Sequence, residues 1–258
     1  MKQEERDAYL TRKSSDLEHV TAQGKAAKTE EEKVAAREAF EKALALKADY
    51  LPAATNLARL DLVDKKPELA RKRFESLIEA NPKVVDAYVA LADLYIATGQ
   101  PAADARKVLD RGLAANPDSL ALKIALVRDD LRAGDPKAAL ARAEEIQAAA
   151  PSDPAVLDVL GRTQLAAARP EQAVATFGKL AELRPDAPAV LMALAQAQLA
   201  TKNPSGAEQS LRKVLELKPD LLEAQRQLMV LRAQAKDDAG ALAIAAEIQK
   251  QRPKAAIG

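Results

Sequence analysis

All fourteen prolines of this chain fall in one repeating frame. One set recurs at intervals of 34 or 35 residues: Pro82, Pro117, Pro151, Pro185, Pro219 and Pro253. A second set lies about half a period away: Pro67, Pro101, Pro136, Pro170 and Pro204. Proline lacks an amide hydrogen and clashes inside a helix, but it fits the first helical turn. The prolines therefore mark helix boundaries, and the frame predicts two helices in each period.

The frame divides the chain into six units, residues 51–84, 85–119, 120–153, 154–187, 188–221 and 222–255. The seventh place of every unit is leucine: Leu57, Leu91, Leu126, Leu160, Leu194 and Leu228. A small residue recurs early in every second helix: Ala70, Ala105, Ala139, Ala173, Ala207 and Ala241. Small residues at facing positions let antiparallel helices approach closely. The predicted fold class is all-α, an α-α superhelix (solenoid) of antiparallel helix pairs.

Capping residues support these helix boundaries. Asp135 and Asn203 each precede a proline, which predicts a helix N-cap followed by proline at the first helical position. Gly99 and Gly134 fall between the two helices of their units, where a positive φ is needed. The unit 85–119 has one extra residue, which we place just after Pro101, in the first turn of its second helix.

The two ends of the chain depart from the regular pattern. Residues 1–50 predict a degenerate unit of capping helices: Thr29 opens a capping box, Phe40 is in repeat register, and the polar Gln23 replaces the expected leucine. The last predicted helix, residues 239–251, has four apolar residues: Leu242, Ile244, Ala245 and Ile248. It has no polar cap, so we expect a piece of a longer array or self-association through this helix.

The repeat is similar to the tetratricopeptide repeat (TPR) pattern of leucine, small residue, tyrosine, alanine, phenylalanine and proline. Tyr95 and Phe74 fill its aromatic places, and the usual leading tryptophan is absent. Segments 41–60 and 211–258 resemble the large TPR lipoproteins of the PEP-CTERM/exosortase system. That resemblance implies work in the bacterial envelope or in exopolysaccharide export, although this chain shows neither a lipobox cysteine nor a signal sequence. If the resemblance holds, the implied location is periplasmic or envelope-associated. Without it, a cytoplasmic location is expected.

In TPR arrays the first helix of each unit lines a concave groove. Carried over to this sequence, the resemblance gives eight candidate partner-binding residues: Arg59, Asp93, Arg128, Arg132, Asp158, Arg162, Met192 and Gln196. The twelfth place of most units is aliphatic: Leu62, Ile96, Leu131, Leu165 and Leu199. Arginine forks suit carboxylates and backbone carbonyls, so we expect a protein or peptide ligand with acidic groups.

An alternative is that these arginines are self-paired surface charge. Arg162 is four residues from Asp158 on a helix, and Arg59 lies one repeat from Asp93. Exposed pairs of this kind contribute only about 0–1 kcal/mol and are common on any surface. The lysine and asparagines of the chaperone-tail clamp are missing from the fifth and ninth places, which argues against a ligand held by its C-terminal carboxylate.

Several classes of function are disfavoured. The net charge of +1, without a basic tract, argues against nucleic acid, and no apolar run predicts membrane insertion. The chain has no cysteine, and its single histidine, His19, lies in the polar N-terminal region, so no metal site is expected. The adjacent carboxylates Asp129/Asp130 and Asp237/Asp238 are expected to be solvated or capping.

No catalytic motif and no cofactor-binding motif occurs in the sequence, so we expect neither catalysis nor a cofactor. The sequence favours a non-catalytic scaffold that binds a protein or peptide. The alternative is a structural or regulatory spacer within a larger multidomain protein.

Overall fold

The computed structural model describes residues 30–251, which contain thirteen α-helices and no strand. The helices are α1 Glu30–Leu46, α2 Leu51–Val63, α3 Pro67–Ala80, α4 Val85–Ala97, α5 Ala102–Ala115, α6 Leu120–Arg132, α7 Pro136–Ala149, α8 Pro154–Ala166, α9 Pro170–Leu183, α10 Pro188–Ala200, α11 Pro204–Leu217, α12 Leu222–Gln234 and α13 Asp238–Gln251. Helices that follow each other in the chain pack together as pairs: α2 on α3, α4 on α5, α8 on α9, α10 on α11 and α12 on α13. The fold class, an all-α solenoid of helix pairs, is confirmed.

The described residues form two compact units, which divide after Leu126, inside α6. In the first unit, Phe40 and Leu57 form one buried cluster, and Phe74, Tyr88 and Leu109 belong to a second. These side chains are at most 4% exposed. The first unit therefore has a dry core that runs from helix to helix along the chain.

The second unit is built in the same way. Leu157, Phe177 and Leu180 form one buried cluster, and Leu191 and Leu211 belong to another. The alanines early in α7, α9 and α11 are fully buried, whereas Ala241 of α13 is only half-buried. The small residues thus take the closely packed positions that the repeat pattern predicts, except in the last helix.

The turns inside the units share one conformation. The fifteenth place of each of the six units has a positive φ, although only two of the residues are glycine: Lys65 (59°), Gly99 (72°), Gly134 (76°), Ala168 (56°), Lys202 (57°) and Lys236 (62°). In each turn the next amide donates to the carbonyl of the eleventh place, as Arg169 N does to Gln164 O at 2.8 Å. This is a Schellman motif, which pairs backbone groups that a helix end leaves free.

We predict that Ala168→Gly raises the free energy of unfolding by about 0.5–1 kcal/mol, because a left-handed φ is strained for alanine and not for glycine. The control is Gly134→Ala, where an added Cβ would meet no atom within 4 Å. It should lower stability by about 1 kcal/mol through the backbone alone. Urea unfolding followed by circular dichroism measures both changes. Destabilisation by Ala168→Gly would contradict the prediction.

The predicted caps are present, and the position of the extra residue is corrected. Asp135 accepts from Ala138 N and Asn203 from Gly206 N, both at 3.0 Å. Pro101, however, lies outside α5 as its N-cap residue, with φ −53° and ψ 133°. The insertion therefore lengthens the turn rather than the first turn of the helix, and the remainder of α5 keeps its register.

Side-chain hydrogen bonds join the two helices within four of the units. Residues twelve apart are linked: Arg73 to Asp61 at 3.2 Å, Arg142 to Asp130 at 3.0 Å, Thr176 to Gln164 at 2.8 Å and Ser210 to Gln198 at 2.8 Å. The acceptors stand at the eleventh place, where the TPR pattern has tyrosine. The expectation that Asp129 and Asp130 are solvated is therefore wrong, since they are 7% and 5% exposed.

The last helix begins with a charged cap. Asp237 accepts from Gly240 N at 2.9 Å and from the Arg232 guanidinium. The Gly240 amide and then Arg232 hold the pKa of the Asp237 carboxyl below its usual value. Arg232 also donates to Glu208 of α11 at 2.7 Å, so the end of α12 is tied to the helices on both sides. The predicted capping role of Asp237 is thus confirmed.

Candidate functional site

The eight candidate residues lie on the first helices of their units. In the first compact unit, Arg59 is on α2 and Asp93 on α4, and these two helices contact each other. In the second unit the residues follow three first helices: Arg128 and Arg132 on α6, Asp158 and Arg162 on α8, Met192 and Gln196 on α10. We call the surface that these side chains form in each compact unit the first-helix face.

An aliphatic stripe accompanies the charges. In the second compact unit Leu131 and Leu165 are half-buried and Leu199 is 36% exposed. In the first unit Leu62 is 38% exposed. Ile124, from the fifth place of its unit, is buried at 6%. Because α8 contacts α10, the aliphatic and polar groups of the second unit lie on neighbouring helices.

Two of the candidate arginines are already paired. Arg162 Nε donates to both carboxylate oxygens of Asp158 at 3.0 Å, the self-pairing that the sequence allowed. Arg132 lies 3.7 Å from Asp129, which is three residues earlier on the same helix. Both pairs are intrahelical and exposed on the arginine side, so each contributes only about 0.3–0.5 kcal/mol.

Arg59 is different. Its Nε and Nη2 are buried and have no hydrogen-bond partner in the part of the chain that the structure describes. A buried polar group without a partner is unfavourable by about 1–3 kcal/mol, and more when it is charged. A carboxylate with two oxygens is the partner that matches the guanidinium fork. Arg59 is therefore the candidate residue with the strongest chemical need for a ligand.

The other polar candidates offer simpler chemistry. Arg128 and Gln196 are exposed, and Met192 is half-buried against the core cluster that contains Leu191 and Leu211. Asp93 is exposed and is engaged in an interaction with the protein itself. Arginine and glutamine together can donate to side-chain carboxylates and backbone carbonyls, while methionine adapts to apolar side chains of varied shape.

Neither a metal nor a membrane is suggested by residues 30–251. No group of three or more histidine, cysteine or carboxylate residues in this range is placed to hold a metal ion. None of its helices has the length and apolar character needed to cross a bilayer. His19, Gln23 and Thr29, on which three sequence predictions depend, lie outside the described residues.

Sequence reasoning missed two properties of these surfaces. The burial of the Arg59 guanidinium depends on its neighbours in space, and no local pattern reports it. The second property is a cavity beside α10, for which the sequence contained one signal. Gly178 is a glycine inside a helix, at a place where other units have charged residues.

The comparisons with known proteins agree with this architecture. The sequence model of the tetratricopeptide repeat family matches residues 62–126, 130–197 and 164–220. These segments cover more than half of the chain. No curated protein matches the chain.

Three solved structures illustrate the likeness. PilW, a widely conserved type IV pilus biogenesis factor, superposes with a TM-score of 0.68 at 16% identity, covering 81% of this chain and 96% of PilW. PilF of Pseudomonas aeruginosa gives 0.61 at 19% identity, with coverages of 79% and 92%. A tetratricopeptide repeat protein from Parabacteroides merdae gives 0.60 at 15% identity, with coverages of 88% and 90%. At such identities the likeness concerns the fold alone.

Proposed function

The chain belongs to the tetratricopeptide repeat family, and from that premise we propose that it is a non-catalytic scaffold whose first-helix face binds a protein segment with acidic side chains. Proteins of this fold typically mediate protein–protein interaction. The observation that supports the proposal is Arg59, whose buried Nε and Nη2 have no partner. A ligand carboxylate would satisfy both nitrogens once the Arg59 side chain turns outward, since Nε and Nη2 are buried within the structure.

The pathway we propose is assembly in the bacterial envelope, including exopolysaccharide export. The support is the resemblance of segments 41–60 and 211–258 to the TPR lipoproteins of the exosortase system. We also propose that α13 pairs with a second copy of the chain, because Leu242 is 70% exposed on that helix. Light scattering of the purified chain measures this self-association as a doubled mass in solution.

The binding proposal predicts that the double variant Arg59→Glu/Arg128→Glu loses a partner that wild type retains. The reason is that a glutamate repels the ligand carboxylate that the arginine attracts, and like charges in close contact are strongly unfavourable. The measurement is affinity capture from lysate and envelope fractions of the source cell, followed by mass spectrometry. Captured partners are then titrated against the purified chain.

The matched control is Arg212→Glu on α11, outside the first-helix face, which reverses the charge of an exposed arginine that Glu208 already satisfies. We expect this variant to keep most of the partner's affinity, whereas the double variant should lose at least tenfold. Equal helicity of the variants by circular dichroism shows that the fold is kept. If the double variant and wild type capture the same proteins, the arginines are surface charge, and the spacer function takes the place of the scaffold.

A further inference from the structure

A cavity of about 420 Å³ lies in the second compact unit, between α9 and α11 and against α10. Gly178 and Ala181 of α9 form one wall, and Leu191 and Leu194 of α10 contribute apolar surface. The cavity is on a different side of α10 from Met192, so it is separate from the first-helix face. Its volume is within the range of about 300–1,000 Å³ typical of ligand pockets.

The cavity exists because α9 has smaller residues at two places than the second helices of the other repeat units. At the place of Gly178, four other units have Glu75, Asp110, Glu144 and Arg212. At the place of Ala181, the same units have Ile78, Leu113, Gln147 and Leu215. Gly178 and Ala181 are three residues apart on a helix, so both truncations open the same side.

The small residues at these two places leave a leucine of α10 partly exposed. In four other units the leucine of the seventh place is at most 4% exposed: Leu57, Leu91, Leu126 and Leu160. Leu194, at the same place, is only half-buried. Packing does not require the glycine, because a Cβ at Gly178 would meet no atom within 4 Å. Glycine also weakens a helix interior, so its effect here is to keep the cavity open.

The lining has an apolar base and a charged rim. Ser210 donates to Gln198 Oε1 at 2.8 Å, so these two polar groups satisfy each other at the edge of the cavity. Glu182 on α9 and Lys213 on α11 stand on opposite walls and are exposed. Neither forms an ion pair with another described residue. An apolar base between one acid and one base matches a side chain flanked by opposite charges.

We propose that this cavity takes one large apolar side chain, leucine or phenylalanine, of a partner helix. A basic residue and an acidic residue, one turn before and one turn after it, pair with Glu182 and Lys213. Helix-in-groove recognition of this kind buries an apolar anchor and reads its register by the charges beside it. The cavity is therefore a second docking site, additional to the first-helix face.

The test uses the full chain and synthetic helical peptides labelled with fluorescein. One peptide has a central leucine, with lysine one turn before it and glutamate one turn after it. A second peptide has the two charges exchanged. Two further peptides, one for each charge order, have alanine in place of the central leucine. Fluorescence anisotropy measures binding, and methyl NMR reports whether the resonances of Leu191 and Leu194 shift. We expect one charge order with leucine to bind at least tenfold more tightly than its alanine version.

Two variants fill the cavity with residues that this chain uses at equivalent places. Gly178→Glu follows Glu75 and Glu144, and Ala181→Leu follows Leu113 and Leu215. Gly178→Glu should be at least as stable as wild type, since it removes a glycine from a helix interior and its new side chain enters open space. Both variants should weaken the leucine peptide at least tenfold, while thermal unfolding shows that they remain folded.

The control Gln172→Glu adds the same charge to an exposed position of α9 outside the cavity lining and should leave peptide affinity unchanged. The proposal is overturned if neither charge order binds or if the alanine peptides bind equally well. It is also overturned if the two filled variants bind like wild type. A Leu194 methyl shift that disappears in Gly178→Glu would locate the binding in the cavity.

Discussion

Replacing Gly161 with valine is expected to lower the free energy of unfolding by about 3 kcal/mol. A Cβ at this position would lie 2.6 Å from Cζ of the Phe177 ring and 2.8 Å from two of its other carbons. Phe177 is fully buried, so the ring has no open space into which it can move. Overpacking a closed core typically lowers stability by about 1–3 kcal/mol, and sometimes by more.

The second half of this prediction is a rescue. At the equivalent places of the preceding unit the chain has Val127 and Ala143, both fully buried. Phe177→Ala alone should lower stability by about 3–5 kcal/mol through the cavity that it leaves. The double variant Gly161→Val/Phe177→Ala should lose less than the sum of the two single changes, by about 1–3 kcal/mol, because each change compensates the volume of the other. Urea unfolding measures all three variants, and strict additivity would contradict the facing of these two positions.

The double variant Arg37→Met/Arg73→Met is expected to lower stability by about 3–5 kcal/mol. Asp61 is fully buried and has one arginine on each carboxylate oxygen: Arg37 Nη1 at 2.5 Å and Arg73 Nε at 3.2 Å. Methionine keeps most of the side-chain volume and removes the guanidinium. The buried carboxylate is then uncompensated, which is the most unfavourable way to break an internal ion pair.

A third substitution separates charge from packing. Adding Asp61→Leu to the double variant removes the uncompensated charge and leaves three apolar side chains of similar volume. Replacing a buried ion cluster by packed apolar residues is often neutral or stabilising, so the triple variant should recover most of the lost stability. Thermal and urea unfolding measure the recovery. A triple variant as unstable as the double would show that the arginine stems, rather than the carboxylate charge, hold α1 and α3 against α2.

Much of the fold follows from the sequence because its signals are local. Proline fits the first turn of a helix whatever surrounds it, so Pro136, Pro170 and Pro204 begin helices where the frame placed them. Gly99 and Gly134 likewise have the positive φ that was expected. The non-glycine turn residues Ala168 and Lys202 were not predicted, because their conformation is imposed by the helices on either side.

The candidate site was only partly predictable. Intrahelical spacing suggested that Arg162 pairs with Asp158, and the structure shows this pair. The same sequence reasoning could not show that Arg59 has buried nitrogens without a partner, because burial depends on residues far away in the chain. The binding role of the eight candidate residues stays a prediction, which the charge-reversal variants test.

The sequence by itself determined the family, the helix boundaries and the residues that form the core, because proline, glycine and the spacing of leucine and alanine act over one or two helical turns. Only the tertiary structure decided how polar groups and volumes are shared between helices. It buried Asp61 between two arginines and Asp130 against Arg142. It also set Gly161 against the Phe177 ring and left Leu194 half-buried beside Gly178. The physical reason is that desolvation and packing depend on which atoms meet across helices, and each helix encodes only one side of that contact.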